Sequence, residues 1–167
     1  MAAMTVAQVL RRATEAYAEY LVATLGDQLL AVVLFGSVAR GDAVAGSDVD
    51  LLIVARDLPA GQFARKRLLA AADAAFEPDV VAAESRGVEV RLARIVRTPE
   101  EAARIVPLYL DMTEDAVLLV DRGGFFAGVL DRLRASLRRS GAKRVRLGST
   151  WYWDLKPDFV VGDVVEL

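Results

Sequence analysis

The sequence contains neither cysteine nor histidine. Their absence excludes disulfides, thiol nucleophiles, Ser-His-Asp triads, histidine bases and ordinary zinc sites. Any chemistry must rest on carboxylates, hydroxyls, Lys and Arg, Tyr or a hard metal ion. No apolar run approaches the roughly 20 residues of a membrane span, and no basic leader precedes an apolar stretch, so a cytoplasmic protein without membrane contact is expected. Neither sign of charge dominates: 21 Lys+Arg face 23 Asp+Glu, a formal net charge of −2. A general polyanion binder is thereby excluded, and partners must be chosen locally. The 167 residues suit a single domain with its own core, read as 1–140 with a tail at 141–167 packed on it.

What is present is an alternation of helical and strand patterns. Thr5 and Gln8 form a capping-box pair ahead of apolar residues at helical spacing, from Val6 to Leu21, that end at Gly26. "LLAVVLF" (29–35) and "DLLIV" (50–54) read as buried strands. Residues 60–76 read as a helix that Pro78 stops. "VEVRLARIV" (88–96) alternates like a strand, and Thr98-Pro99-Glu100-Glu101 opens a further helix that Pro107 breaks. "AVLLV" (116–120) and a helix over 124–139 follow. The expected class is α/β (α+β): a mixed sheet of about four to five strands covered by helices, with a short β/turn appendage at the C-terminus.

The stretch "LFGSVARGDAVAGSDVDLLIV" (34–54) carries the chemistry. On a strand, alternation sends Asp48 and Asp50 the same way, roughly 6 to 7 Å apart. Like charges that close call for a cation, and all-oxygen ligands select Mg²⁺ or Mn²⁺. Upstream, Gly36 permits close backbone approach. Ser37 reads as the cap of one helical turn that Gly41 ends with a positive φ, and the amides opening such a turn suit an anion. A phosphate-binding turn facing a metal-binding carboxylate pair describes a metal–nucleotide site. Neither Gly-x-Gly-x-x-Gly nor Gly-Lys-Ser/Thr occurs, and no EF-hand spacing follows Asp48, so Rossmann, P-loop and EF-hand readings fail.

Gly36-Ser37, ten intervening residues, then Asp48-Val49-Asp50 resemble the signature of the nucleotidyltransferase superfamily that includes DNA polymerase beta, and within it the minimal nucleotidyltransferases often encoded beside a HEPN-type partner. The likeness extends to Arg40, Gly41 and the flanking strands. It implies the nucleotidyltransferase fold and transfer of a nucleoside monophosphate from an NTP, expected to be ATP, to an acceptor hydroxyl. Mg²⁺ or Mn²⁺ would be bound by Asp48 and Asp50, with Gly36, Ser37, Arg40 and Ser47 around the nucleotide. It further implies a third carboxylate on the neighbouring strand, where Glu89 is the only acid, as metal ligand or base. The acceptors it suggests are a HEPN-type toxin, AMPylated by an antitoxin of this kind, an RNA 3′ end or a small-molecule antibiotic.

Several residues support two readings. Arg40 is a triphosphate contact or a surface residue; Ser47 touches nucleotide or caps a turn. Residues 131–146 carry seven basic side chains against Asp131 alone, which suits an RNA or acidic protein surface, or a solvated face pairing with acids elsewhere. Trp151, Tyr152 and Trp153 offer base-stacking surfaces or pack the tail onto the core. A module that binds nucleotide and neutralises a partner without turnover is the alternative to an enzyme. Label transfer from NTP, tested against Asp48→Asn and Asp50→Asn, separates the two.

Overall fold

The computed structural model describes residues 4–158 of the chain. Helix α1 (Val6–Leu25) opens on the Thr5/Gln8 capping box and ends at Gly26. Strand β1 (Leu29–Phe35) runs into a five-residue helix α2 (Gly36–Arg40), and β2 (Val49–Ala55) returns antiparallel beside β1. Helices α3 (Gln62–Leu68) and α4 (Ala70–Glu84) then carry the chain across to β3 (Leu92–Arg97), which lies parallel to β2. Two short helices follow, α5 (Pro99–Ala102), with the Thr98/Glu101 capping box, and α6 (Tyr109–Asp115). β4 (Val117–Asp121) pairs antiparallel with the other edge of β1, and its terminal Asp121 accepts the Phe126 and Ala127 amides that open α7 (Phe125–Ser140). The hairpin of β5 (Lys143–Leu147) and β6 (Thr150–Asp154) forms a separate two-stranded sheet. The main sheet has the order β3-β2-β1-β4, a mixed four-stranded sheet with helices on both faces.

Alternation along β2 sorts its side chains between the two layers. Val49, Leu51 and Ile53 pack with α1 and α4, where the tilted rings of Tyr17 and Phe76 meet at 4.9 Å between centroids. Leu52 and Val54 pack on the opposite face with Met112 of α6 and Phe126, Leu130 and Leu133 of α7. Each such fully buried side chain contributes about 1.5–3 kcal/mol of hydrophobic stabilisation. A polar group binds the first layer together: the Tyr17 hydroxyl donates to Asp73 Oδ1 at 2.7 Å, and Arg94 of β3 pairs with the same carboxylate. Asp50, with the parity of Leu52 and Val54, lies on the α6–α7 face at the very start of its strand.

Three expectations need correction. Residues 60–76 are not one helix stopped by Pro78: a break at Leu69 divides α3 from α4, and Pro78 lies inside α4. Burial of Ala72, Phe76 and Ala83 against α1 outweighs the roughly 3 kcal/mol that an interior proline costs. Ser37 does not cap α2; Phe35 holds the capping position and no side chain bonds the turn, although Gly41 does end it at φ 82°. Third, β3 begins at Leu92 rather than at residue 88, so Glu89 precedes the strand. Leu92 pairs with Val49, the first residue of β2; counting back, Glu89 would face Gly46, which lies in a turn and offers no extended partner. Part of the expected tail, 159–167, lies outside the described residues.

Candidate active site

The site forms where β1 ends and β2 begins. Phe35 is the register partner of Asp50, so Gly36, the next residue, meets the Asp50 carboxylate. Its φ is +71°, a conformation open to glycine, and a Cβ there would stand 2.3 Å from Asp50 Oδ2. Glycine is thus required twice, by the backbone angle and by the close approach of the carboxylate. The first amides of α2 have no acceptor within the helix and no side-chain cap, leaving them available to an anion. A turn backbone and a carboxylate are held in contact with nothing interposed.

Asp50 is half-buried and makes no hydrogen bond or ion pair among the described residues. Burial pushes its carboxyl pKa up, the neighbouring Asp48 charge adds to that, and Arg40 opposes it. Asp48, more exposed, pairs with Arg91 Nε at 3.0 Å. Arg40 Nε donates to Asp42 Oδ2 at 3.1 Å, and its guanidinium lies 4.8 Å from the centre of the Trp151 ring. Ser47 turns inward on its own loop, its hydroxyl accepting from the Val44 amide at 3.0 Å. Gly36, Arg40 and Asp50 meet around one cavity of about 220 Å³. Ser37, Ser47, Asp48 and Glu89 do not line it. Glu89 is exposed in the loop before β3, and among the described residues no three acidic side chains gather to share a metal ion.

The far wall of that cavity comes from α6: Leu108 at its start, then Met112, Asp111 and Asp115. The two acids stand one helical turn apart, a spacing visible in the sequence, but spacing says which residues share a face and not what that face meets. The β5–β6 hairpin reaches the same place. Trp151 and Trp153 Nε1 both donate to Asp111 Oδ1, at 2.8 and 2.9 Å, and Arg144 Nη2 pairs with Asp115 at 2.7 Å while lying 4.0 Å from the Trp151 ring centre. The aromatic tail therefore packs onto the domain at the rim of the site, and Arg144 and Arg134, which is bonded to the Thr113 carbonyl and Asp131, use part of the basic stretch internally. Of the two readings of that tail, packing is the one the contacts express.

Chemically, two adjacent carboxylates, one of them unpaired and pressed against a bare glycine, suit one divalent ion with oxygen preference, Mg²⁺ or Mn²⁺. Arg40 and the α2 amides suit phosphate oxygens beside it. Residues 21–114, from the end of α1 through α6, match the nucleotidyltransferase domain family, and the chain belongs to it. It is an enzyme of that class, a nucleotidyltransferase. Across 116 residues it is 31% identical to MJ1305 of Methanocaldococcus jannaschii, provisionally named a protein adenylyltransferase, over 68% of this chain and 74% of that one. Among solved structures, a provisionally named nucleotidyltransferase from Sulfolobus solfataricus is 24% identical, covers 73% of this chain and 93% of its own, and superposes with a TM-score of 0.42. A tri-AMPylated Shewanella oneidensis HEPN toxin in complex with its MNT antitoxin gives 15% identity, 77% and 92% coverage, and a TM-score of 0.38.

Proposed function

We propose that the chain transfers AMP from ATP to a hydroxyl on a protein, releasing pyrophosphate, with Asp48 and Asp50 holding a divalent ion. The observation that carries this is the Asp50 carboxylate, left without a cation partner against Gly36 and next to a second carboxylate. A fold that only needed a stable strand start would pair or expose that acid. In the reaction the acceptor oxygen bonds to the α-phosphorus, the bond from phosphorus to the bridging oxygen breaks, pyrophosphate leaves with the electron pair, and the hydroxyl proton goes to water. A bound divalent ion would supply Lewis-acid neutralisation of the phosphate charge at Asp48 and Asp50.

The chain's own residues supply position and charge. The amides of α2, with Ser37 among its first residues, offer donors to the phosphates, and Arg40 adds a fixed positive charge on the same wall. Asp111 and Asp115 close the opposite side of the cavity. The named activity of the M. jannaschii relative supports a protein rather than a small molecule as acceptor. A HEPN-type protein is the first acceptor to test, because the Gly-Ser and Asp-x-Asp pattern resembles that of nucleotidyltransferases paired with such proteins.

The test supplies ATP labelled at the α-phosphate or at the γ-phosphate, with Mg²⁺ or Mn²⁺, to the purified chain and a co-expressed HEPN-type protein, with total RNA in a parallel reaction. Label from the α position alone, appearing on the protein and disappearing with Asp48→Asn and with Asp50→Asn, supports the reading. Label on RNA alone moves the acceptor to RNA. Nucleotide binding without transfer to either defeats it.

A further inference from the structure

We infer that Arg91 stands where a third acid and a second cation would otherwise act, so that this site works with one divalent ion rather than two. The inference rests on the nucleotidyl-transfer reading above. The starting point is the register. β2 and β3 run parallel with Val49 opposite Leu92 and Asp50 opposite Ala93, and the Val49 amide donates to the Arg91 carbonyl at 2.8 Å. Residue 91 is therefore the position on the neighbouring chain segment that adjoins Asp48. An acid that joined the aspartate pair from that side would have to come from here or from position 93, opposite Asp50.

The residue here is of opposite sign. Arg91 Nε lies 3.0 Å from Asp48 Oδ1, and its Nη2 donates to the Gly46 carbonyl. The next residue on that face along β3 is Ala93, and Glu89 lies back in the exposed loop, so no other side chain of this segment brings a carboxylate to Asp48. As a half-exposed ion pair, Arg91–Asp48 adds little to stability. What fixes the guanidinium is the backbone bond beside it and the carbonyl of Gly46.

Charge bookkeeping shows what such a replacement does. Three carboxylates with two divalent ions carry the same net formal charge as two carboxylates, one guanidinium and one divalent ion. The electrostatic field offered to a triphosphate is thus kept in sum, while the place of one exchangeable ion is taken by a fixed side chain. Arg91 is then a positioning and charge-supplying residue: it orients Asp48 and sets a positive charge directly beside it.

The experiment reads metal occupancy, not turnover. The full chain is titrated with Mn²⁺ in the presence of the α,β-methylene analogue of ATP and followed by electron paramagnetic resonance. Two ions about 3.5 to 4 Å apart, as in two-metal sites, couple and broaden the spectrum, whereas a lone ion keeps its resolved hyperfine lines. The wild-type chain is expected to bind one uncoupled ion per nucleotide, Arg91→Lys to do the same, and Arg91→Asp to take up a second, coupled ion. A coupled pair in the wild-type chain overturns the inference, as does a folded Arg91→Asp that still binds only one. If Arg91→Asp fails to fold, the wild-type and Arg91→Lys spectra decide alone. Absence of any protein-bound Mn²⁺ in the wild-type complex is a different result: it defeats the nucleotidyl-transfer site itself, and the role of Arg91 with it.

Discussion

Asp50 and Glu101 are two carboxylates treated in opposite ways. Glu101 closes the α5 capping box and takes both arms of the Arg65 guanidinium, at 2.6 and 2.9 Å, and the hydrogen bonds from Arg65 bring its pKa down to about 2. Arg65, only 8% exposed, is further held by the Pro59 and Val96 carbonyls. Asp50 has a bare glycine on one side, a like charge on the other and a raised pKa. The first arrangement joins α3, α5 and β3 and is what a fold does with an acid it needs for stability. The second is held at some expense to stability, which is the arrangement the proposed cation site calls for.

Replacing each acid by its amide should expose that contrast. Asp50→Asn keeps the shape and removes the charge: transfer is expected to fall by about 10³-fold or more, the loss of several kcal/mol of charge stabilisation, while the melting temperature stays level or rises. A large drop in melting temperature would show that Asp50 is structural after all. Gly36→Ala comes next. The added methyl must displace Asp50 Oδ2 and adopt a left-handed angle, so about a 10²-fold loss of transfer is expected from a carboxylate moved by an ångström or so, with about 1–2 kcal/mol lost in denaturant unfolding. Glu101→Gln sharpens the other side: about 2 kcal/mol of stability lost, less than a wholly buried pair because Glu101 is about a third exposed, with transfer per folded molecule unchanged.

How far the sequence discloses these two regions follows from how local each one is. Gly36, Asp48 and Asp50 lie within 15 residues, and strand alternation plus a turn glycine are short-range rules, so their meeting is legible without coordinates. The capping boxes at Thr5 and Thr98 are legible for the same reason. Arg91 beside Asp48, and Asp111 between Trp151 and Trp153, depend on strand register and on where the hairpin folds back. Those are set by distant pairing, to which a local pattern is blind. Glu89 shows the limit most plainly. Val88-Glu89-Val90-Arg91 alternates as a strand should, yet a strand exists only as far as it has a partner, and the partner begins at Val49.

The smallest expected effect is also the most direct contrast, because the two acids bend the pH profile of stability in opposite directions. Glu101 has its folded pKa lowered from 4.5 to about 2. Between those values the unfolded chain binds the proton and the folded one does not, so the stability Glu101 contributes is complete above 4.5 and is lost as pH falls towards 2. Asp50 has its folded pKa raised above 3.8, so there the folded chain holds the proton longer. Its contribution therefore declines as pH rises from 3.8 through that raised value, and it favours folding on acidification. Urea midpoints measured from neutral pH down to about pH 3, for wild type, Asp50→Asn and Glu101→Gln, separate the two slopes. The gap between wild type and Glu101→Gln should close as pH falls, while wild type should gain on Asp50→Asn over the same range. Parallel profiles for both variants would mean that the two carboxylates are held alike, and the case for Asp50 as the partner of a cation would lose its physical basis.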